Sequence, residues 1–315
     1  MLRRDFLARL AAGAARARLL HAGNGLALPA QRRAAPLSAT SKLDRISIST
    51  WSLHNYFRST REEGFDLPGP LLALIDFPEM ISDKYQVHHF EFCTTHFAST
   101  DASYLQEIKY RLIHTRSTIV NMPVDIPELW DQGGLSDPSK KMRDAAVNAY
   151  KPWIDIAHNL GVKSVRCDPG TFDPENLVRT VESYKALATY ALAKGVRVLI
   201  ENHGRVGSEH PEELAKLFKL LAPQHVGALP DFGNFPDAAT REKGLKLLFP
   251  YAQVVCHAKG LDIGPDGIEK QYDFARAMEI SKKAGFKGIY SIEYEGPGDP
   301  YTGIQRTLDE LVRYL

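Results

Sequence analysis

Four predicted strands between Gly195 and Glu295 each end on a residue type that binds metal ions. No other feature of the chain constrains its fold as tightly. The first runs from Val196 to Glu201 and continues into Asn202 and His203. The second runs from Val226 to Asp231 and continues through Phe232 and Gly233 to Asn234. The third, Val254 to His257, is followed by Ala258 and Lys259, and the fourth, Gly288 to Glu293, by Tyr294 and Glu295. The ligand candidates Glu201, Asp231, His257 and Glu293 are spaced 30, 26 and 36 residues apart. A (β/α)8 barrel of ~250 residues uses roughly 31 residues per strand–helix unit. One such residue per unit, always at a strand end, places all four in a ring at the barrel mouth. Three carboxylates and one imidazole form a mostly hard donor set that suits Mn2+, Mg2+, Co2+ or Zn2+.

The upstream half carries the same alternation. Strands are predicted at Ile46 to Ser52, Val87 to Phe92, Ser117 to Pro123 and Val162 to Asp168. Helices are predicted between them. One follows Leu71, with Pro78 as a break point. Another is capped by Asp101 and ends near His114. A third opens at Ser136 or Asp137, with Met142, Ala145, Ala149, Trp153, Ile156 and Leu160 on one face and a kink at Pro152. A fourth runs from Pro174 to Lys194. A long loop through Trp130, Gly133 and Gly134 follows strand three, where barrels place substrate-binding parts. The last four helices are expected at about Pro211 to Leu221, Thr240 to Leu248, Asp273 to Ala284 and Tyr301 to Leu315. The expected class is α/β, a (β/α)8 TIM barrel forming one domain over residues 43–315.

A formal net charge of +1 gives no footprint for nucleic acid or an anionic membrane surface. No apolar run reaches the ~18 residues of a membrane span. Cys93, Cys167 and Cys256 lie near predicted strand ends without close pairing and read as buried thiols. The expected partner is a small-molecule sugar or sugar derivative, not nucleic acid or a membrane; a homo-oligomer is left open.

Residues 1–42 differ from the rest. Arg3, Arg4, Asp5, Phe6 and Leu7 precede an Ala- and Leu-rich stretch that resembles a twin-arginine export signal. Arg9, Arg16 and Arg18 interrupt its apolar region, so a basic leader on a cytoplasmic protein is the alternative. Export would expose the chain to free sugars and glycosides more than to phosphorylated sugars.

The predicted ring has a definite chemistry. A divalent ion polarises a substrate carbonyl and stabilises the enediolate left when the neighbouring carbon loses a proton. Glu201 and Glu293, on strands five and eight, would approach a sugar carbon from opposite sides as base and acid. Strand alternation puts His203, Lys259 and Glu295 on the same face as the ligand two residues before each. His203 is a candidate for a substrate hydroxyl, or equally for a structural hydrogen bond. Lys259 is a candidate for a developing negative charge or a phosphate, or for an ion pair within the protein. Arg166 and Glu91, at the ends of strands four and two, are further substrate-contact candidates that would otherwise pair with each other or with loops. His54, His88 and His89 read as packing or hydrogen-bonded residues. Trp51, Tyr56 and Phe97 read as pocket wall or core.

The segments Leu199 to His203, Pro230 to Asn234, Cys256 to Lys259 and Ser291 to Gly296 resemble the sugar phosphate isomerase/epimerase superfamily, the xylose isomerase-like TIM barrels. The resemblance covers Ile46 to Leu315. It implies one divalent cation, Mn2+ or Mg2+ first, on Glu201, Asp231, His257 and Glu293, with Glu201 and Glu293 as the acid–base pair. Many members carry a His where this chain has Asn234; Asn binds substrate but does not exchange protons near neutral pH. The additional His ligands of the related DNA-repair endonucleases are not evident. The expected function is therefore a metal-dependent sugar isomerase or epimerase. The alternatives are a lyase or dehydratase on a keto sugar or inosose, and a carbohydrate-binding barrel without turnover.

Overall fold

The computed structural model describes residues 42–66, 69–127, 133–170 and 172–315. The twin-arginine segment and Trp130 lie outside the described residues. Lys42, expected in the leader, opens a short 3-10 helix, Lys42–Arg45, and its Nζ donates to Val312 O at 2.8 Å.

Eight parallel strands form a nearly closed barrel flanked by helices: β1 (Ile46–Ser49), β2 (His89–Glu91), β3 (Thr118–Val124), β4 (Ser164–Cys167), β5 (Arg197–Glu201), β6 (Gly227–Leu229), β7 (Val255–Gly260) and β8 (Ile289–Tyr294). The order around the ring is β6-β5-β4-β3-β2-β1-β8-β7. Seven neighbouring pairs share two or more registers, from β1–β2 round to β7–β8. The eighth joint, β6 to β7, is one parallel bridge, Asp231 to His257. There His257 N donates to Pro230 O at 2.9 Å and Phe232 N to His257 O at 3.1 Å.

Asp residues start the last three helices. Asp237 accepts from Thr240 N, Asp273 from Arg276 N and Asp299 from Thr302 N, at 2.8, 2.8 and 3.0 Å. Each satisfies a backbone donor that the first helical turn leaves open. Asp101, expected to cap in the same way, precedes Ala102–His114 without such a bond. Pro78 falls in the first turn of Phe77–Tyr85, where its missing N–H costs nothing.

Two other expectations change. Strand β1 stops at Ser49, not Ser52, because Ser49 Oγ accepts from Trp51 N and the chain turns into a 3-10 helix, Thr50–Tyr56. Ser52 then bridges to β8 with its side chain, donating to Ile292 O at 3.1 Å and accepting from Tyr294 N at 2.9 Å. The long helix Lys140–Leu160 passes through Pro152; it buries Arg143, Ala146, Val147, Tyr150, Ile154, Ile156 and Ala157, so that of the expected face Ile156 is buried, while Ala149, Trp153 and Leu160 are only partly buried against the core. Arg143 and Tyr150 are inside because their polar tips find Asp137 O and Asp168 O. In Leu177–Ala193, Ala191 is in the core and Leu192 is exposed. The three cysteines are free and buried.

Inside the barrel, Leu199, Leu229 and Val255 form a small apolar cluster of their own. Each precedes a ligand candidate by two residues, so strand alternation makes them the floor beneath Glu201, Asp231 and His257.

Candidate metal centre

Glu201 ends β5, Asp231 follows β6, His257 lies in β7 and Glu293 in β8, and all four are buried. Their ligand atoms lie within 4.8 Å of one another. His257 Nδ1 is 3.1 Å from Glu201 Oε1, 3.4 Å from Asp231 Oδ2 and 3.4 Å from Glu293 Oε2. Adjacent donors sharing one ion at ~2.1 Å sit about 3 Å apart, so these separations fit a single cation. Asp231 Oδ2 is buried and, although Lys259 Nζ lies 3.2 Å away, makes no hydrogen bond, which leaves a lone pair to offer a cation. Its other oxygen, Oδ1, accepts from Gly233 N at 2.6 Å and Asn234 N at 2.9 Å, which fixes the carboxylate. The residues present therefore fit a divalent ion.

The remaining candidates are placed as follows. Glu91 is not on the cavity wall. It is fully buried behind His257, with Oε2 3.0 Å from Nε2, out of line for a hydrogen bond. Asn121 Nδ2 donates to Glu91 Oε1 at 2.7 Å, and Ser164 Oγ to Asn121 Oδ1 at 2.7 Å. Its charge beside Nε2 favours a proton on that nitrogen, and Nδ1 is left to face the ring. Asn234 also departs from a substrate contact: it donates to Glu201 Oε1 at 3.1 Å and accepts from Lys259 Nζ at 2.9 Å, so both ends of its amide hold site residues. Lys259 Nζ lies 3.2, 3.0 and 3.2 Å from Asp231, Glu293 and Glu295. A Cβ on Gly233 would stand 2.7 Å from the Lys259 side chain, so only glycine lets that lysine cross.

Arg166 and Glu91 do not pair with each other. The Arg166 guanidinium meets Asp168, Asp125 at 3.3 Å and Glu201 at 3.5 Å. His203 Nδ1 is 3.0 Å from Asp168 Oδ2. Asp168 and Asp125 were not singled out in the sequence; Asp168 shares strand parity with Arg166, and that rule would have found it. Asn202, fully buried, was also missed. It accepts from Asp231 N at 2.7 Å and donates to Asp231 O at 3.1 Å, extending the β5–β6 pairing with a side chain.

A cavity of about 580 Å³ opens above the ring. Arg166, His203, Glu201, Glu293, Lys259 and Glu295 form its polar side, and Trp51, Cys93, Ile126 and Pro127 its apolar side. Tyr56 lines a neighbouring cavity, and Phe97 packs against Phe92 and Trp153 in the core. His54, His88 and His89 bond to Trp51 O, Thr115 O and Thr118.

Burial sets the electrostatics. It pushes the Glu293 carboxyl up to about 7, with Glu295 and Glu201 adding to the rise against His257 and Lys259. Burial acts the same way on Glu201, but His257 and Arg166 outweigh it and hold that carboxyl well below its usual range. Burial would lower His257, yet Glu293, Glu91 and Glu201 reverse this and hold it well above its ordinary value. Two carboxyls on one wall are thus driven apart in acidity.

A family model for xylose isomerase-like TIM barrels matches residues 83–314. An inosose dehydratase of Glaesserella parasuis serovar 5 (strain SH0165) is 24% identical over 190 residues, 55% of this chain and 61% of that relative. The chain thus spans less than two thirds of this curated relative. Among solved structures, the IOLI protein with a zinc atom has a TM-score of 0.65 at 15% identity, covering 86% of this chain and 99% of that one. A 3-keto-D-glucoside 4-epimerase from E. coli has a TM-score of 0.58 at 14% identity, covering 85% and 98%. Matched by that model over most of its length, the chain belongs to the xylose isomerase-like TIM barrel family.

Proposed function

We propose that the chain is an enzyme acting on a sugar or sugar derivative, moving a proton at the carbon beside a carbonyl as an isomerase or epimerase. The observation that carries this reading is that Glu201 and Glu293 both line one cavity and both belong to the ligand ring. Glu201, Asp231, His257 and Glu293 would hold one divalent ion, Mn2+ or Mg2+ first and Zn2+ or Co2+ next. When bound, that ion supplies a Lewis acid for the substrate carbonyl oxygen.

The protein's own groups do the rest. One carboxylate takes the proton from the C–H, the C–H pair becomes a C=C bond, and the carbonyl π pair moves onto its oxygen to give an enediolate. The other carboxyl returns a proton to the opposite face, so nothing else is consumed. His203, on the cavity wall, is placed to bond a substrate hydroxyl. The apolar wall of Trp51, Ile126 and Pro127 suits the C–H face of a sugar ring. Arg166 and Lys259 already face two and three carboxylates at or under 3.3 Å, which favours an uncharged sugar over a phosphate ester. Export through the Arg3 and Arg4 signal belongs to the same proposal, since free sugars are met outside the cytoplasm.

The likeness to an inosose dehydratase favours a second reading. The same proton is removed, but a hydroxyl beyond it then leaves as water. Incubation with keto sugars and inososes in deuterated water, with and without Mn2+, separates the two. Deuterium entering beside the carbonyl, only with metal, supports an isomerase or epimerase, and loss of water or an aglycone supports a lyase. Glu293→Gln should lower exchange by ~10²–10⁴-fold. No exchange or elimination with any substrate overturns both.

A further inference from the structure

Between β7 and the helix Phe274–Lys283 the chain makes a small hairpin. Ile263 and Glu269 form an antiparallel bridge, Gly264 N donates to Ile268 O at 3.1 Å and Lys270 N to Asp262 O at 2.9 Å. A side chain closes its base. The Glu269 carboxylate accepts from Leu261 N and Gln271 N, both at 2.8 Å, and from Asp262 N at 3.1 Å. The hairpin begins two residues after Lys259, and just past its other end Tyr272 OH donates to Lys259 O at 2.5 Å. Both ends therefore hang on one residue of the cavity wall.

The last helix, Pro300–Tyr314, grips this hairpin with one face. Arg306, Glu310 and Arg313 are spaced i, i+4 and i+7, which aligns them along the helix. Arg306 donates to Ile263 O at 3.1 Å, and Arg313 to Gly267 O at 3.1 Å and Asp266 O at 3.3 Å. Between them Glu310 Oε2 accepts from Glu269 N at 3.0 Å. Glu310 and Glu269 are both buried. The two arginines of the face are taken by hairpin carbonyls, and among the described residues no lysine or arginine forms an ion pair with Glu310. The other charged and titratable groups around the contact do not supply one. On the hairpin they are Glu269, Asp262, Tyr272 and Asp266, the last tied to Lys270. On β8 there is Tyr294, and on the helix itself Asp309, exposed and bonded by Gln305. Lys42, from the segment before β1, is taken by Val312 O.

A carboxyl enclosed without a cation favours its neutral form. Burial, the largest influence, pushes Glu310 up to about 7; the Glu269 N–H and Arg313 oppose the rise, and the charges of Glu269 and Asp266 add to it. An ionised Glu310 gains most by reaching water, and it reaches water when the hairpin lifts.

We propose that this helix face is a pH-sensitive clasp: a neutral Glu310 lets the last helix hold the hairpin down, and loss of its proton to water releases the hairpin and, with it, the tie on Lys259. The device is independent of the reaction assigned to the cavity. Its sign follows from linkage. The lifted hairpin returns the carboxyl to its ordinary 4.5, so the open form gives up a proton that the closed form keeps. Closure is fully favoured below pH 4.5, weakens as the pH rises towards 7, and levels off above it.

Hydrogen exchange of the full chain, read by mass spectrometry on the peptide spanning 261–271 and corrected for the intrinsic pH dependence of exchange, tests this. Protection in that peptide should be ~30-fold lower at pH 8.5 than at pH 5.5, while a peptide across β1 keeps its protection. Glu310→Gln, which keeps the acceptor and cannot ionise, should hold the hairpin equally protected at both pH values. A native profile that stays flat, a fall that survives in Glu310→Gln, or an equal fall in the β1 peptide overturns the clasp. Should Glu310→Gln fail to fold, Arg313→Gln decides: with a neighbouring cation gone and Glu310 in place, protection should level off at a higher pH than in the native chain, and an unmoved profile overturns the assignment.

Discussion

Glu201 belongs to two clusters of similar make-up and different charge balance. On one side it meets Asp231, Glu293 and His257; on the other, Asp168 and His203. Both groups bring ligand-type atoms within 4.8 Å. The second already contains its cation: the Arg166 guanidinium lies against Asp168, Asp125 and Glu201. Asp125 and Asp168 are balanced there by Arg166 and by His203, which Asp168 holds protonated above its usual range against the effect of burial. Around the first, Glu91, Glu201, Asp231, Glu293 and Glu295 outnumber Lys259 and His257. Donor spacing alone therefore does not distinguish an ion site from a salt-bridge network. A permanently charged guanidinium completes one cluster, and the other still lacks positive charge.

The largest effect expected from this contrast is on ion affinity. Asp231→Asn should weaken Mn2+ binding by ~10³-fold or more, beyond the ~10–100-fold cost of losing an outer partner, while Asp168→Asn should leave it within about threefold. Calorimetric titration checks both, and equal losses would erase the distinction between the clusters. Next is Arg166→Met. Removing the buried cation should cost about 3–5 kcal/mol in urea unfolding, and it should raise the stoichiometry from one bound ion to two as Asp125, Asp168 and His203 are freed. A stoichiometry that stays at one would show that the guanidinium is not standing where an ion would sit.

Glu91→Gln should lower ion affinity by ~10–100-fold without unfolding the chain. An unchanged affinity would mean that His257 needs no partner on Nε2. A separate effect, on stability instead of ion affinity, concerns a histidine with no carboxylate beside it. His96 stacks on Phe57 at 4.0 Å, and its nitrogens bond to Thr50 and Thr60. Burial first, and His54 second, push it down to about 3 from 6.5. The unfolded chain then binds the extra proton, so stability is full above pH 6.5 and is lost as the pH falls towards 3. The slope is at most about 1.4 kcal/mol per pH unit. Denaturant midpoints of the native chain and His96→Phe, compared between pH 7 and 4, should converge at acid pH.

The four candidate ligands were legible because each sits at or within three residues of the C-terminal end of a predictable strand, and because carboxylate and imidazole side chains are rare at such repeats. The parity rule extended to His203, Lys259 and Glu295, all of which reach the cavity. Depth was not legible. Glu91 ends its strand as Glu201 does, but it is enclosed behind the His257 ring, and only coordinates reveal that. Asn234 looked free to meet a substrate because a sequence does not show that both ends of its amide are taken. The face of Lys140–Leu160 was legible only in part, at Ile156 and its partly buried neighbours, because apolar counting ignores side chains such as Arg143 and Tyr150, which bury a stem and tie off a polar tip. The early end of β1 turned on hydroxyls at Ser49 and Ser52 that replace backbone bonds.

The lone bridge between Asp231 and His257 gives the barrel a seam, and both residues that form it belong to the candidate ligand ring. A cation gripped from both sides would act there as a rivet, closing by coordination what the backbone fastens with a single rung. Chelation should then loosen the molecule first at Phe232 and His257, whose amide hydrogens close this joint and would exchange faster, while the β7–β8 joint stays locked.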